Sequence, residues 1–200
     1  MKVELEDVAF WMDAIRNSDD RYRTLESFWK GQINSKVWLV EALEELNINS
    51  PQTIAIHGGW NGLLASLLFN SNLNIQHITS VDIDPKCKET AITVNKRQEM
   101  QGRFTAETAD MCTYTEFADI VINTSCEHIT QEQYNEWLER QQNSLIVLQS
   151  NNYFELQEHV RCANDLNEFI SQSNIKPFFK GTLETPKYTR YMIIGKKQIG

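Results

Sequence analysis

The sequence predicts an α/β fold, a mostly parallel sheet with helices on both faces, entered through a helical prelude. Three observations carry this. From Pro51 onward, short runs rich in β-branched residues alternate with helix-length stretches, the pattern that parallel strands and right-handed crossovers produce. The first run, "TIAIH", turns through the glycine loop "GGWNG" directly into a second apolar run. The end breaks the rhythm: "KPFFKGTLETPKYTRYMIIGKK" holds two strand-like runs separated by "TPK", which reads as an antiparallel hairpin.

Residues 1–50 carry helical spacing. Val8, Trp11, Met12 and Ile15 fall on one stripe, and Ser18 or Asp19 supplies an N-cap for a second helix over Asp20 to Lys30. A third helix is expected from Lys36 to Leu46, with Ser35 as its N-cap and Gly31 as the break before it. The aromatic residues of this prelude (Phe10, Trp11, Tyr22, Phe28, Trp29, Trp38) read as core rather than as a ligand surface. Past Pro51 the expected order is strand "TIAIH", helix Asn61 to Phe69, strand "HITSVDI", helix Pro85 to Met100, strand "GRFTAET" and strand "ADIVIN". A helix from Thr130 to Gln141, strand "SLIVLQS", a helix from about Leu156 to Ser171, and strands near Phe178 to Glu184 and Tyr188 to Lys196 complete it. The division expected is a helical cap over 1–50 and a main domain over 51–200, compact as one body.

Bulk properties narrow the function. A chain of 200 residues with 41% hydrophobic content can bury one sizeable core. A formal net charge of -8 gives no footprint for tracking a phosphate backbone, so nucleic acid is a disfavoured partner. The four cysteines form no Cys-x-x-Cys pair, the N-terminus lacks a signal peptide's pattern, and no apolar run is long enough to cross a bilayer. A cytoplasmic protein with reduced thiols and no membrane association is expected.

The glycine loop carries the first chemical signal. A backbone that must approach a ligand closely uses glycine, and Gly58, Gly59 and Gly62 fit that need. If the next helix begins near Asn61, its first amides favour an anionic group. Twenty residues past Gly62, "SVDIDP" puts Asp82 and Asp84 at a strand's carboxyl edge, where an acid can accept hydrogen bonds from ribose hydroxyls; either can instead cap the helix opening at Pro85. Asp110 and Asn123 end the next two strands.

A dinucleotide loop would place a glycine at His57, which makes that match weak. Read as Gly-x-Gly-x-Gly with Trp60 at the middle glycine, "GGWNG" resembles the first motif of class I S-adenosylmethionine-dependent methyltransferases of the small-molecule type. "SVDIDP" is similar to that family's second motif, "TADM" to its adenine-contacting segment, and "ADIVINTSCEHI" to its fourth-strand motif, down to the Glu-His pair of ubiquinone-biosynthesis-type O-methyltransferases. The terminal hairpin is similar to the family's reversed seventh strand. The resemblance covers about residues 50 to 197. It implies a Rossmann-like, doubly wound seven-stranded sheet of order 3-2-1-4-5-7-6 with the last strand antiparallel.

It also implies roles. S-adenosyl-L-methionine would be the cofactor and a small molecule the methyl acceptor. Gly58, Gly59 and Gly62 would shape the loop against the methionine part, with His57 and Trp60 taking part because Ile56 stands where the family carries an acid. Asp82 would hold the ribose with Ile83 beside it, Asp110 and Met111 would meet the adenine, and Asn123 would face the cofactor. Imidazole titrates near neutral pH, which suits His128, after Glu127, to take a proton from the acceptor; packing at the start of the next helix is the alternative. Thr124 stands where a third, acidic metal ligand would be, so no metal is expected. Cys126 reads as a buried small residue rather than a nucleophile. The polar run Gln149 to Tyr153 could contact substrate or form a turn. His77 and His159 attract no functional reading. Two other readings stay open: a different reaction on this cofactor or a nucleotide, and a scaffold whose altered loop no longer supports turnover.

Overall fold

The computed structural model describes residues 1–48, 50–141 and 143–198. Its seven strands form one sheet in the order β3-β2-β1-β4-β5-β7-β6. The strands are β1 (Gln52–His57), β2 (Ile75–Asp82), β3 (Phe104–Thr108), β4 (Ile120–Asn123), β5 (Leu145–Asn151), β6 (Ile175–Glu184) and β7 (Thr189–Lys197). β1, β2 and β3 pair in parallel, as do β4 and β5, while β7 runs antiparallel to both β5 and β6. The expected sheet order and reversed last strand are both present. The chain divides into two compact units, Met1–Asp110 and Met111–Gly200.

In the first unit, helices α1 (Leu5–Asn17), α2 (Arg21–Glu26) and α3 (Lys30–Glu45) precede β1. The helix expected from Lys36 begins instead at Lys30 and runs through both Gly31 and Ser35. Gly31 falls in the first turn, where a glycine interrupts few intrahelical bonds, and Ser35 is buried on the helix face rather than capping it. The second helix is shorter than expected, and its N-cap is Asp20, which accepts from the Arg23 amide at 3.0 Å. α4 (Leu63–Phe69) is nearly all buried, an apolar rod packed among α3, β2 and α5. The single helix expected from Pro85 to Met100 is two, α5 (Pro85–Val94) and α6 (Lys96–Met100), separated at Asn95. Asn95 is fully buried and spends its side-chain amide on the carbonyls of Gly62 and Ala91, at 2.9 and 3.0 Å.

The buried stripe of α1 is rotated from the expected one. Met12 is exposed, while Asp7 and Ala14 are buried. Trp11 keeps its place by donating its indole N–H to Ser66 Oγ on α4 at 3.0 Å and by packing its ring 5.7 Å from that of Phe28. Trp29 and Tyr22, read as core, are exposed. Asp7 is inside because it is paired: Arg97 reaches its two oxygens through Nε and Nη2 at 2.8 and 2.6 Å, and Asn70 Nδ2 adds a third bond at 2.6 Å. Burial pushes the carboxyl pKa up, but the Arg97 and Asn70 bonds outweigh it and hold it below the ordinary carboxylate range.

In the second unit, a 3₁₀ turn (Cys126–His128) follows β4 and leads to α7 (Gln131–Arg140). Thr130 opens α7 with a capping box: its hydroxyl accepts from the Gln133 amide, and the Gln133 side chain accepts from the Thr130 amide at 2.9 Å. The helix expected from about Leu156 begins only at Leu166, as α8 (Leu166–Ser173), capped by Asp165. The preceding segment is held differently, by the amides of Val160 and Arg161 donating to the Glu127 carbonyl at 2.8 and 3.1 Å. Among the described residues, no helix is long and apolar enough to cross a membrane.

Removing one member of a buried ion pair leaves an uncompensated charge. Arg97→Ala should therefore destabilise the chain by about 3 kcal/mol or more in urea unfolding. The double variant Asp7→Asn/Arg97→Met should recover a large part of that loss, since no charge is then stranded.

Candidate functional site

In the first unit, β1 ends at His57 and the chain turns through Gly58 to Gly62 into α4. Gly58 and Gly62 have φ of 70° and 77°, the left-handed region where glycine costs least. Trp60 is also left-handed, with φ 48°, although it carries a side chain. The Gly58 and Gly59 amides both donate to the Val81 carbonyl, at 2.9 and 3.0 Å, which pulls the loop against the end of β2. A Cβ on Gly59 would strike Ser80 Oγ, and one on Gly62 would lie 3.0 Å from Cα and Cβ of Ala91. Two of the three glycines are thus fixed by the close approach of β2 and α5. α4 starts at Leu63 rather than near Asn61.

Asp82 completes this arrangement. Its Oδ2 accepts from the Trp60 amide at 2.8 Å and its Oδ1 from the Asp84 amide at 3.0 Å. A carboxylate offers about four acceptor positions, so both oxygens keep capacity for further donors. Asp84 is a cap: it accepts from the Lys86 amide at 3.0 Å and pairs with Arg23 at 2.6 Å. The Lys86 amide, aided by Arg23, holds its carboxyl below the ordinary range. Ile83 between them is 70% exposed, an apolar side chain offered at the carboxyl edge.

A depression too small to hold a water is lined by Trp60, Asp82, Lys88 and Glu107 together with four small side chains, Ser80, Cys87, Ala91 and Ala106. Asn61 is 4% exposed and its Nδ2 has no hydrogen-bond partner, a buried donor left over in the loop itself. His57 is 2% exposed, and burial pushes its pKa down to about 4, so the ring is neutral at physiological pH. Asp110 follows β3 and closes this unit.

In the second unit, Asn123 is fully buried at the end of β4. Its Oδ1 accepts from the Ser125 amide at 2.9 Å and its Nδ2 lies 3.6 Å from Met111 Sδ, so two predicted residues are brought together. Cys126 is buried, with its thiol pushed up to about 12 by burial, which leaves it protonated and inert. Glu127 is buried as well. Its Oε1 accepts from Asn151 Nδ2 at 2.7 Å and from Arg190 Nη2 at 3.3 Å, while Oε2 has no partner. His128 is exposed at the end of the 3₁₀ turn. Thr130, not His128, caps the following helix.

His128 has a neighbour that sequence reading missed. The His159 ring lies 4.8 Å away, edge-on at 83°, and one ligand-type atom from each of Glu127, His128 and His159 lies within 4.8 Å of the others. His159 is 31 residues from His128 in a loop with no recognisable motif, so only the fold could bring it there. The polar run Gln149 to Asn151 is almost wholly buried and serves the interior. Asn151 also accepts from the Tyr153 amide at 2.8 Å, and Asn152 accepts from the Thr189 amide at 2.8 Å. Tyr153 stacks on Tyr188 at 5.6 Å.

No family model matches the sequence, and no curated protein does. Solved structures do. The chain is similar to magnesium protoporphyrin IX methyltransferase from Synechocystis PCC 6803 with bound SAH, at TM-score 0.68 and 12% identity over 97% of this chain and 95% of that one. It is also similar to PH0226 protein from Pyrococcus horikoshii OT3 (TM-score 0.65, 12% identity, 90% and 99% covered). A putative RNA methyltransferase, PH1948 from Pyrococcus horikoshii, gives TM-score 0.59 at 15% identity, with 82% and 85% covered. The chain therefore has the class I S-adenosylmethionine-dependent methyltransferase fold.

The buried His57 has a consequence for acid stability. Its folded pKa of about 4 lies below the ordinary value of about 6.5, so between those values the unfolded chain binds the proton and the folded chain does not. Its contribution is complete above pH 6.5 and is lost as pH falls towards 4. Between pH 7 and pH 5 that loss is roughly 2 kcal/mol. Urea unfolding of His57→Asn at the two pH values should show a correspondingly smaller difference than wild type. Gly62→Ala should destabilise the fold by more than 1 kcal/mol, in order of magnitude, because φ is positive and Ala91 blocks the new methyl.

Proposed function

We propose that the protein is an S-adenosylmethionine-dependent methyltransferase acting on a small molecule. The observation that carries the reading is the position of Asp82: a carboxylate at the end of β2, already holding the glycine loop by the Trp60 amide, in a sheet of methyltransferase order. When bound, the cofactor would supply a methyl group activated on a sulfonium. The spare acceptor capacity of Asp82 suits two ribose hydroxyls, and Ile83 gives an apolar surface beside it. Gly58, Gly59 and Gly62 bring main-chain atoms to the cofactor, with His57 and Trp60 bordering them, and Asp110 and Met111 serve the adenine. Asn123 completes the cofactor set. His128, exposed after the buried Glu127, takes the proton released when an acceptor hydroxyl or amine is methylated. An acidic chain with net charge -8 supports a small acceptor over a nucleic acid.

Trp60 sets the terms of binding. Ligand pockets typically span about 300–1,000 Å³, whereas the depression it borders has no room even for a water-sized molecule. Binding on that face requires the indole to move. A second reading is supported by the same feature: a scaffold whose loop, closed by Trp60, binds no cofactor.

Calorimetry with S-adenosylhomocysteine separates the two. Binding is expected, with NADH showing none, and no heat at millimolar ligand would favour the scaffold. Asp82→Asn should weaken binding by at least about tenfold, as expected for hydrogen bonds to a charged group. Trp60→Gly relieves a left-handed side chain and opens the cleft, so it should tighten binding by roughly tenfold, about 1.4 kcal/mol. Weaker binding instead would identify the indole as a direct contact.

A further inference from the structure

We infer that the outward face of α2 is a homodimer interface, on which two copies of this chain pack antiparallel about a two-fold axis near Leu25. None of the residues on this face serves the cofactor reading.

The face is apolar where a solvent-facing helix carries polar groups. Tyr22, Leu25 and Trp29 are 75%, 50% and 72% exposed, at the i, i+3, i+7 spacing that sets side chains on one side of a helical run. The amides of Ser27, Phe28 and Trp29 donate to the carbonyls of Thr24, Leu25 and Glu26 at 3.2, 3.0 and 3.1 Å, so helical winding continues past α2 as far as Trp29. The opposite side is shut: Thr24 and Ser27 are 3% and 1% exposed.

That inner side also fixes the outer one. Thr24 Oγ1 donates to Ser18 Oγ at 2.7 Å, Ser27 Oγ donates to the Thr24 carbonyl at 2.6 Å, and Arg23 is paired with Asp84. A surface held from behind loses little conformational entropy when it associates.

The patch has the size of an interface centre. An aromatic side chain covers about 150–250 Å², so two of them mostly in solvent, with half a leucine, reach the roughly 300–600 Å² of the largest apolar patch on a typical monomer. A stable interface buries about 800 Å² on each partner, the remainder coming from a polar rim.

The rim selects the partner. Asp19 precedes the stripe and Lys30 follows it, and both are exposed. An antiparallel copy brings the acidic end of one stripe to the basic end of the other, twice, and lays Arg21 of each copy beside Trp29 of the other as a cation–π pair. Such a surface is self-complementary in the way a two-fold dimer requires, residue i meeting j and j meeting i. A membrane fits it poorly: Asp19 and Glu26 line the stripe, and a chain of net charge -8 is repelled by anionic headgroups.

Sedimentation equilibrium of the full chain, without cofactor, tests this. At about 100 μM, well above the micromolar dissociation constants of weak standard-size interfaces, the chain is expected at twice its 23.2 kDa mass. Leu25→Asp and Trp29→Ser should each weaken association by at least about tenfold. Asp19→Lys and Lys30→Asp should each weaken it, and the double variant should recover it, which a mere loss of apolar surface would not give. Phe178→Ser removes a similarly exposed aromatic, 58% in solvent, from β6 and should have no effect. A wild-type chain that stays monomeric at that concentration overturns the proposal, as does a dimer that Leu25→Asp and Trp29→Ser leave intact. A monomer that floats with phosphatidylglycerol vesicles overturns it too, and assigns the stripe to a membrane. Should Leu25→Asp alter the circular dichroism spectrum, the more exposed Trp29 decides alone.

Discussion

The first unit is organised around one carboxylate. Asp82 accepts the Trp60 amide with one oxygen and the Asp84 amide with the other, so the loop after β1, the tip of β2 and the start of α5 are fixed to the same group. The two glycine amides on the Val81 carbonyl lock the loop one residue earlier. These bonds position the main chain where Gly59 can sit against Ser80 and Gly62 against Ala91. Any ligand that uses Asp82 meets an acceptor whose direction is already set by two backbone donors, a preorganised site in the sense that matters for affinity.

This reassigns what the glycines mean. A glycine-rich turn after a strand suggests a ligand, but Gly59 and Gly62 are each required by a neighbouring side chain or helix whether or not anything binds. The third glycine of such loops commonly serves helix packing, and Gly62 does that here. Trp60, by contrast, holds the left-handed conformation although it carries a side chain.

Much of the fold was legible in the sequence because apolar strand runs and the terminal hairpin encode it locally. "TIAIH", "ADIVIN" and "SLIVLQS" all became strands within a residue or two. The misreadings share a cause: a local signal was overruled by a contact distant in sequence. Gly31 and Ser35 read as punctuation, yet α3 continues through them because its buried face does. The stretch from Leu156 looked helical, but the amides of Val160 and Arg161 are taken by the Glu127 carbonyl, and α8 waits for the cap at Asp165. Asp7 carried no signal of its own, because its partner Arg97 lies 90 residues away. Of the candidate site, the residues in motifs were visible, and His159, in none, was not.

Each unit buries one acid against one arginine, and the contrast between the two pairs separates structure from function. Asp7 has both oxygens occupied by a bidentate Arg97 and a further bond from Asn70, which leaves nothing to recruit. Glu127 has Arg190 on a single oxygen at 3.3 Å, its second oxygen orphaned, and the Arg190 Nε without a partner as well. A fold selected only for stability would close the second pair as it closed the first, since every orphaned buried group carries a desolvation cost. The incompleteness lies beside two histidines, in the turn that follows β4.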